Sequence, residues 1–371
     1  MLARPEAAET RRRRSAFSTA GASEIDRALA VAARSVRLLA AVTPDNLAEQ
    51  RAVLARNLGR GGATAPRYTY LRADRTELRR TLDAIARAVR KALDPGLAAV
   101  YVARVDELAL EARIAEAAGT SALGEVSRER FAGTDREAAF AAHELALEWL
   151  RLPPPRASAR TRSDASVPGS LLSMMRREVG ARRLPFAVET SASLLSRAAT
   201  GERTIWVSRG KLLTAEDARR TVLHEIEGHA MPRARAASRA AIFSIGTARG
   251  ADDQEGFALL AEERAAMMGP GRRRELGARH WAVERMSEGA DFAGVARDLV
   301  REHGLSPENA LDVTERAFRG SDGRGPGLGR ERVYIGAWLR VAAHLRLRPD
   351  DESVLRSGQV AVRWIAALPS P

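Results

Sequence analysis

Residues 221–232 read TVLHEIEGHAMP, and His224, Glu225 and His229 within them are the residue types of a hydrolytic metal site. In the short zinc-hydrolase motif two histidines four apart face one ion from a single helical turn, and the Glu after the first serves as the base. Here the histidines are five apart. At about 100° per residue their imidazoles diverge by about 140° on a regular helix, too far for one zinc ion. The spacing therefore demands an extra residue in the turn, as a π-bulge supplies, or an unwinding near Gly228.

A catalytic zinc ion takes three protein ligands and keeps a fourth position open. The chain contains no cysteine, so thiolate ligands, disulfides and cysteine nucleophiles are excluded and any metal is held by His, Asp or Glu. The acid-rich segment after the motif offers Asp252, Asp253, Glu255, Glu262 and Glu263. Glu255 is the choice, because Gly256 beside it in QEGFA lets one helix pack close to another, as a ligand shared between two helices requires. Glu262, seven residues on, shares that face and can orient a histidine. Glu225 then takes a proton from the attacking water and passes it to the leaving amine. His143 in HELALEW has an adjoining Glu but no second histidine and reads as structural. His280, His303 and His344 fall in separate helical segments without a partner at ligand spacing, and read as surface or packing residues.

Several elements must position these groups. LLTAEDARRTVLHEIEGH predicts a helix from about Ala215 to His229, with Thr214 as N-cap, Glu216 and Asp217 in the first turn, and Pro232 stopping it. LPFAVET and RTIWVS are short, β-branched or aromatic, and bounded by turn residues, so both read as strands. TIWVS is read as an edge strand ahead of the motif helix. A second helix starts near Asp252 and ends at Gly269-Pro270. Upstream, Leu78, Leu82, Ile85 and Val89 make one apolar helical stripe, and the first 150 residues read as mainly helical. The expected organisation is a disordered basic tail over 1–22, a helical region over 23–151, a Pro/Ser/Arg-rich loop or linker over 152–170, and a catalytic core over 171–371. Residues 23–371 as one compact catalytic domain is the alternative. The fold class is α+β, predominantly helical, with a small sheet beside the metal helix.

The chain has 371 residues and a formal charge of +13, which raises the question of an anionic partner. Lys91 and Lys211 are the only lysines, and Arg is scattered through every helical segment rather than gathered in one stripe. That composition reads as a GC-rich bacterial coding bias and a solvated basic surface. Aromatic residues make up 5% of the chain, too few to line a basic groove with stacking platforms, which argues against nucleic acid. No apolar run approaches the ~20 residues that span a bilayer, and the N-terminus lacks the apolar centre of an export signal. A cytoplasmic protein without a membrane partner is expected. Nothing in the sequence speaks to oligomeric state.

HEIEGH followed by DQEGFALLAEE resembles a family of bacterial QEGLA-motif proteins that also includes the eukaryotic microtubule-associated tyrosine carboxypeptidases. RYTYL at 67–71, RTIWVSRGKLLTAEDARRTVLHEI at 203–226 and ERAFRGSDGRGPGLGRERVYIGAWL at 315–339 fit the same pattern, so the likeness covers most of residues 60–345. The resemblance implies a zincin-like metallopeptidase core with one zinc ion on His224, His229 and Glu255, and Glu225 as base. It also implies Tyr334 as a catalytic group and Arg319 and Arg330 as substrate-binding groups, since a carboxypeptidase needs a cation for the terminal carboxylate and a donor for the oxyanion. The substrate class implied is a peptide or protein C-terminal tail. Two departures stand out: Glu227-Gly228 where the family more often has Gly-Thr, and Arg330-Glu331 where it has Lys-Asp. Glu227 adds an acid near the metal helix, which bears on specificity, and tubulin-tail specificity is not carried over. The alternative is a non-catalytic regulatory or binding protein on a zinc-peptidase scaffold.

Overall fold

The computed structural model describes residues 22–72, 74–133, 135–155 and 158–369. The expected basic tail lies outside them, apart from residue 22, which opens the first helix. The protein is α+β and predominantly helical. Helices α1 (22–36), α2 (Leu38–Ala41), α3 (Leu47–Gly59), α4 (Thr76–Ala92), α5 (Pro95–Ala117), α6 (Leu123–Phe131) and α7 (Arg136–Leu150) come first. A mixed middle follows, with strand β1 (Arg160–Arg162), helix α8 (Leu171–Ala181) and strands β2 (Ala187–Ser191), β3 (Ala198–Thr200), β4 (Thr204–Ser208) and β5 (Leu212–Thr214). The motif stretch runs through α9 (Ala215–Leu223), a π-helical stretch (His224–Ala230) and α10 (Met231–Ala236). Then come α11 (Ala241–Ile245), α12 (Gly250–Arg264), α13 (Pro270–Ser287), α14 (Phe292–Arg301), α15 (Pro307–Ala317), a 3-10 turn (Arg330–Arg332), α16 (Val333–Leu347) and α17 (Glu352–Leu355).

Local chemistry accounts for the elements nearest the site. Thr214 caps α9 through its side chain, which accepts from the Asp217 N–H at 3.0 Å, and Glu216 and Asp217 sit in the favourable first turn. In β4 the period of two sends Ile205 and Val207 into the core at 0% exposure and turns Trp206 outward. In α4, Leu82, Ile85 and Val89 are buried as their spacing requires.

The three-stranded sheet has the order β2-β4-β3, with β2 parallel and β3 antiparallel to β4. TIWVS is therefore the central strand rather than the expected edge; the edge nearest the motif is β3, too short at three residues to show a period. Part of the 152–170 stretch is ordered as β1, which pairs antiparallel with β5. Beneath the sheet, Met175, Ile205, Val207 and Ile226 form one apolar cluster joining α8, β4 and the motif.

The N-terminal helices pack against α11, α12 and α16 rather than apart from them. Leu29, Leu82 and Val100 share an apolar cluster with Phe243, Phe257 and Val341. A buried ion cluster runs across the same boundary. Arg130 of α6 bonds both oxygens of Asp252 on α12, at 2.8 and 3.2 Å, and reaches Glu107 of α5 at 3.0 Å. Among the described residues no helix is long and apolar enough to cross a membrane.

Candidate metal centre

The five-residue spacing is absorbed by the backbone. Over His224–Ala230 the helix widens to π geometry, with the Met231 N–H reaching the Ile226 carbonyl five residues back. The wider turn brings the imidazoles of His224 and His229 over the same side, with ring centroids 5.2 Å apart. Pro232 does not end the helix, as the sequence had led us to expect. It falls in the first turn of α10, where a missing N–H costs little, and the chain stays helical to Ala236.

The π stretch spans Gly228, as expected, and the glycine has a second task as well. A Cβ at Gly228 would lie 2.3 Å from the Ala258 Cβ and 3.1 Å from its Cα, so the glycine is what lets α12 close on the motif helix. Gly256 faces the other way. Its absent Cβ would strike the Ala337 backbone of α16 at 2.4 Å, so it seats α12 on α16 and not on the motif. Both contacts hold Glu255 at a fixed depth between three helices.

Three ligand-type atoms converge there. Glu255 Oε2 lies 3.2 Å from His224 Nε2 and 3.7 Å from His229 Nε2, and the three groups satisfy the mutual spacing of a metal site. Every remaining polar atom of the trio has its own partner. His224 Nδ1 meets Glu262 Oε1 at 2.7 Å, His229 Nδ1 meets Gln254 Oε1 at 3.0 Å, and Glu255 Oε1 accepts from Arg330 Nη2 at 2.9 Å. Glu262 is fully buried and is gripped in turn by Arg272, whose Nε and Nη2 donate at 2.8 and 2.9 Å. The donor set is thus a compact His2Glu cluster whose second atoms are all oriented from behind, which is how metal-binding imidazoles are fixed in tautomer and direction. The residues present fit a zinc ion.

The electrostatics follow the same design. Burial disfavours charge on His224, but Glu255 and Glu262 outweigh it and push the imidazole up to about 9. Burial likewise penalises the Glu262 carboxylate, yet Arg272 and His224 hold it down to about 2.

Glu225 is buried and accepts from Thr200 Oγ1 at 2.8 Å, which ties the expected base to edge strand β3. Tyr334, at the start of α16, is buried; burial first, then the Glu255 and Glu331 carboxylates, pushes its hydroxyl up to about 12. Arg319 is partly buried, and its Nε has no hydrogen-bond partner. Burial first and then Arg316 push its guanidinium down to about 10. Arg330 spends one N–H on Glu255. Its neighbour Glu331 accepts from Arg316 at 3.2 Å and lies 3.5 Å from Arg279.

Some placements depart from the sequence reading. Glu227 lies on the motif helix, as read from the sequence, but its charge is taken up by partners from other elements. It pairs with Arg182 at 2.5 Å and Arg356 at 3.3 Å, which bind the motif to α8 and α17. Gln254 and Thr200 were not anticipated; the first stands inside the QEG triplet, where its neighbour drew the attention, and the second sits on a strand too short to recognise. His344 is paired with Asp351 at 2.7 Å and His303 packs edge-on to Trp281, as isolated histidines do. His280 is different: it meets His143 and Glu284 within ligand reach, a grouping across two helices that spacing along one segment does not reveal.

A search of curated proteins finds no match. The family model described as microtubule-associated tyrosine carboxypeptidase matches residues 58–370, a span that takes in the π-helical motif, α12 with Glu255, and the Arg319–Tyr334 segment. On that match the chain belongs to the microtubule-associated tyrosine carboxypeptidase family.

Proposed function

We propose that this chain is a zinc-dependent carboxypeptidase that removes C-terminal residues from peptides or protein tails. The observation that carries the reading is the convergence of His224, His229 and Glu255, each with its far atom held by a separate partner. Bound by these three side chains, zinc supplies Lewis acidity toward water and the scissile carbonyl.

The remaining steps belong to the chain's own residues. Glu225 accepts a proton from the attacking water and delivers it to the leaving amine, and Thr200 fixes which carboxylate oxygen is free to do so. Tyr334 stays protonated at neutral pH and donates to the oxyanion that forms at the carbonyl. Arg319, partly buried, turns its guanidinium to the substrate's terminal carboxylate. Arg330 positions Glu255 with one N–H and keeps others for the same carboxylate. The outer edge of β3 gives an extended peptide a strand to pair with, next to Glu225.

The test is a Glu225→Gln variant assayed for zinc by elemental analysis and for cleavage by mass spectrometry on a C-terminal peptide library. The expected result is full zinc content with turnover reduced by on the order of 10²–10⁴. Wild-type protein that retains zinc and cleaves no member of the library would leave the scaffold reading in its place.

A further inference from the structure

A second group of metal-type donors stands on the side of α13 that faces α7. His143 comes from α7, and His280 and Glu284 come from α13, four residues apart on one helical face. Their ligand atoms satisfy the same mutual spacing as the first trio. The two imidazole centroids are 5.8 Å apart, against 5.2 Å for His224 and His229. His280 Nε2 lies 3.5 Å from Glu284 Oε1, close to the roughly 3.3 Å edge of a tetrahedron with metal–ligand bonds of ~2.05 Å.

The polar atoms here are unsatisfied. His280 is 2% exposed, and neither of its ring nitrogens has a hydrogen-bond partner; His143 Nδ1 is also buried without one. An unpaired buried donor or acceptor gives up its hydrogen bonds to water with nothing in return. A packing role alone would be served by an apolar side chain without that cost. Burial first, then Arg332 and His143, lowers the His280 imidazole to about 3, so it stands neutral, as a metal ligand must.

We propose that His143, His280 and Glu284 form a second site for a divalent first-row transition ion, with zinc the ion its His2Glu donor set fits. This site is distinct from the His224–His229–Glu255 centre and does not depend on the function assigned to that centre. Arg332 faces it too, donating from Nε to Glu284 Oε1 at 2.8 Å and from Nη2 to Ser287 Oγ at 3.2 Å. In the first centre Arg330 holds the Glu255 oxygen turned away from the histidines, whereas here Arg332 bonds the same Glu284 oxygen that lies nearest His280, so an ion would share that oxygen or take Oε2. Arg330 and Arg332 lie on the same 3-10 turn, so each centre has its carboxylate gripped from one short segment. An ion between α7 and α13 would clamp two helices that otherwise meet there through unpartnered imidazoles.

The experiment is a titration of the full chain, stripped by chelator, with zinc alone, read by calorimetry and elemental analysis after gel filtration. Wild type is expected to bind two equivalents and His143→Ala one, with a lower melting temperature gain on zinc addition. A His224→Ala/His229→Ala variant is expected to keep one equivalent, lost again when His143→Ala is added. Loss of the first centre alone shows as wild type binding one equivalent that His143→Ala abolishes, which leaves the second site standing. A single wild-type equivalent unaffected by His143→Ala overturns the proposal, as does a second equivalent that survives both His143→Ala and Glu284→Gln. Should the double-histidine variant fail to fold, cobalt titration of wild type and of His143→Asn decides. Two sets of visible ligand-field bands in wild type and one in the variant are expected, and identical spectra overturn it.

Discussion

Glu262 Oε1 sits 2.7 Å from His224 Nδ1 although 38 residues separate them, and the same carboxylate is locked by two N–H groups of Arg272. The relay from Arg272 through Glu262 to His224 decides which imidazole nitrogen faces Glu255. Replacing Glu262 with Gln keeps a hydrogen-bonding group but removes the charge. Zinc affinity should fall by about 10–100-fold, measured by competition with a chromogenic chelator. Metal-free stability should fall as well in urea unfolding, because Arg272 loses its nearer anion and keeps only Glu275, at 3.4 Å. Unchanged affinity would mean that the relay does not orient the histidine.

Gly228 should tolerate no side chain. Gly228→Ala drives a methyl into Ala258 and is expected to cost about 1–3 kcal/mol and to weaken zinc binding by moving α12. Ala258→Gly in the same chain removes the obstructing methyl and should restore much of both losses. A double variant no better than the single one would place the strain elsewhere.

Arg319 is proposed to bind the substrate's terminal carboxylate, a contact that would be made equally in the ground and transition states. Arg319→Gln should therefore raise KM by on the order of tenfold or more while kcat changes little. An amidated C-terminal peptide should be as poor a substrate for wild type as the free acid is for the variant. Steady-state kinetics on the paired peptides checks both.

A buried cluster away from the His224–His229–Glu255 trio contributes one part of the pH dependence of stability. Glu315 contacts Arg51 and Tyr68, and burial, opposed by Arg51 and aided by Asp312, raises its carboxyl to about 7. The folded protein therefore binds this proton where the unfolded chain, titrating near 4.3, does not. The contribution is full below the unfolded value and is lost as pH rises from there to about 7, by an amount on the order of 3 kcal/mol. Across that window wild type should lose stability in urea relative to Glu315→Gln, a difference that isolates this proton from the opposite contribution of His280, whose imidazole is lowered to about 3. Wild-type and variant curves that run parallel would assign the dependence to other groups.

The sequence reading located the trio because its information is local: two histidines on one segment and an acid on the next. The π turn was legible too, as the only way to reconcile a five-residue gap with one ion. The reasons behind two glycines were not. Gly228 and Gly256 are set by the backbones of α12 and α16, which approach from other parts of the chain. Pro232 misled because its effect depends on what the preceding turn does with its carbonyls. β3 escaped notice at three residues, yet it supplies Thr200 to Glu225. The tie of Glu227 to Arg182 and Arg356 joins three distant elements, and no spacing along the chain encodes it.

The cluster of Arg130, Glu107 and Asp252 makes the half of this protein that carries the His2Glu trio poorly portable. Asp252 opens the helix that carries Glu255, and its countercharge is supplied by α6, more than a hundred residues upstream. A fragment begun at residue 171 would fold its ligand helix around an acid stripped of that guanidinium. Excision or grafting of the HEIEGH half alone should thus yield an unstable scaffold, even with every ligand residue retained.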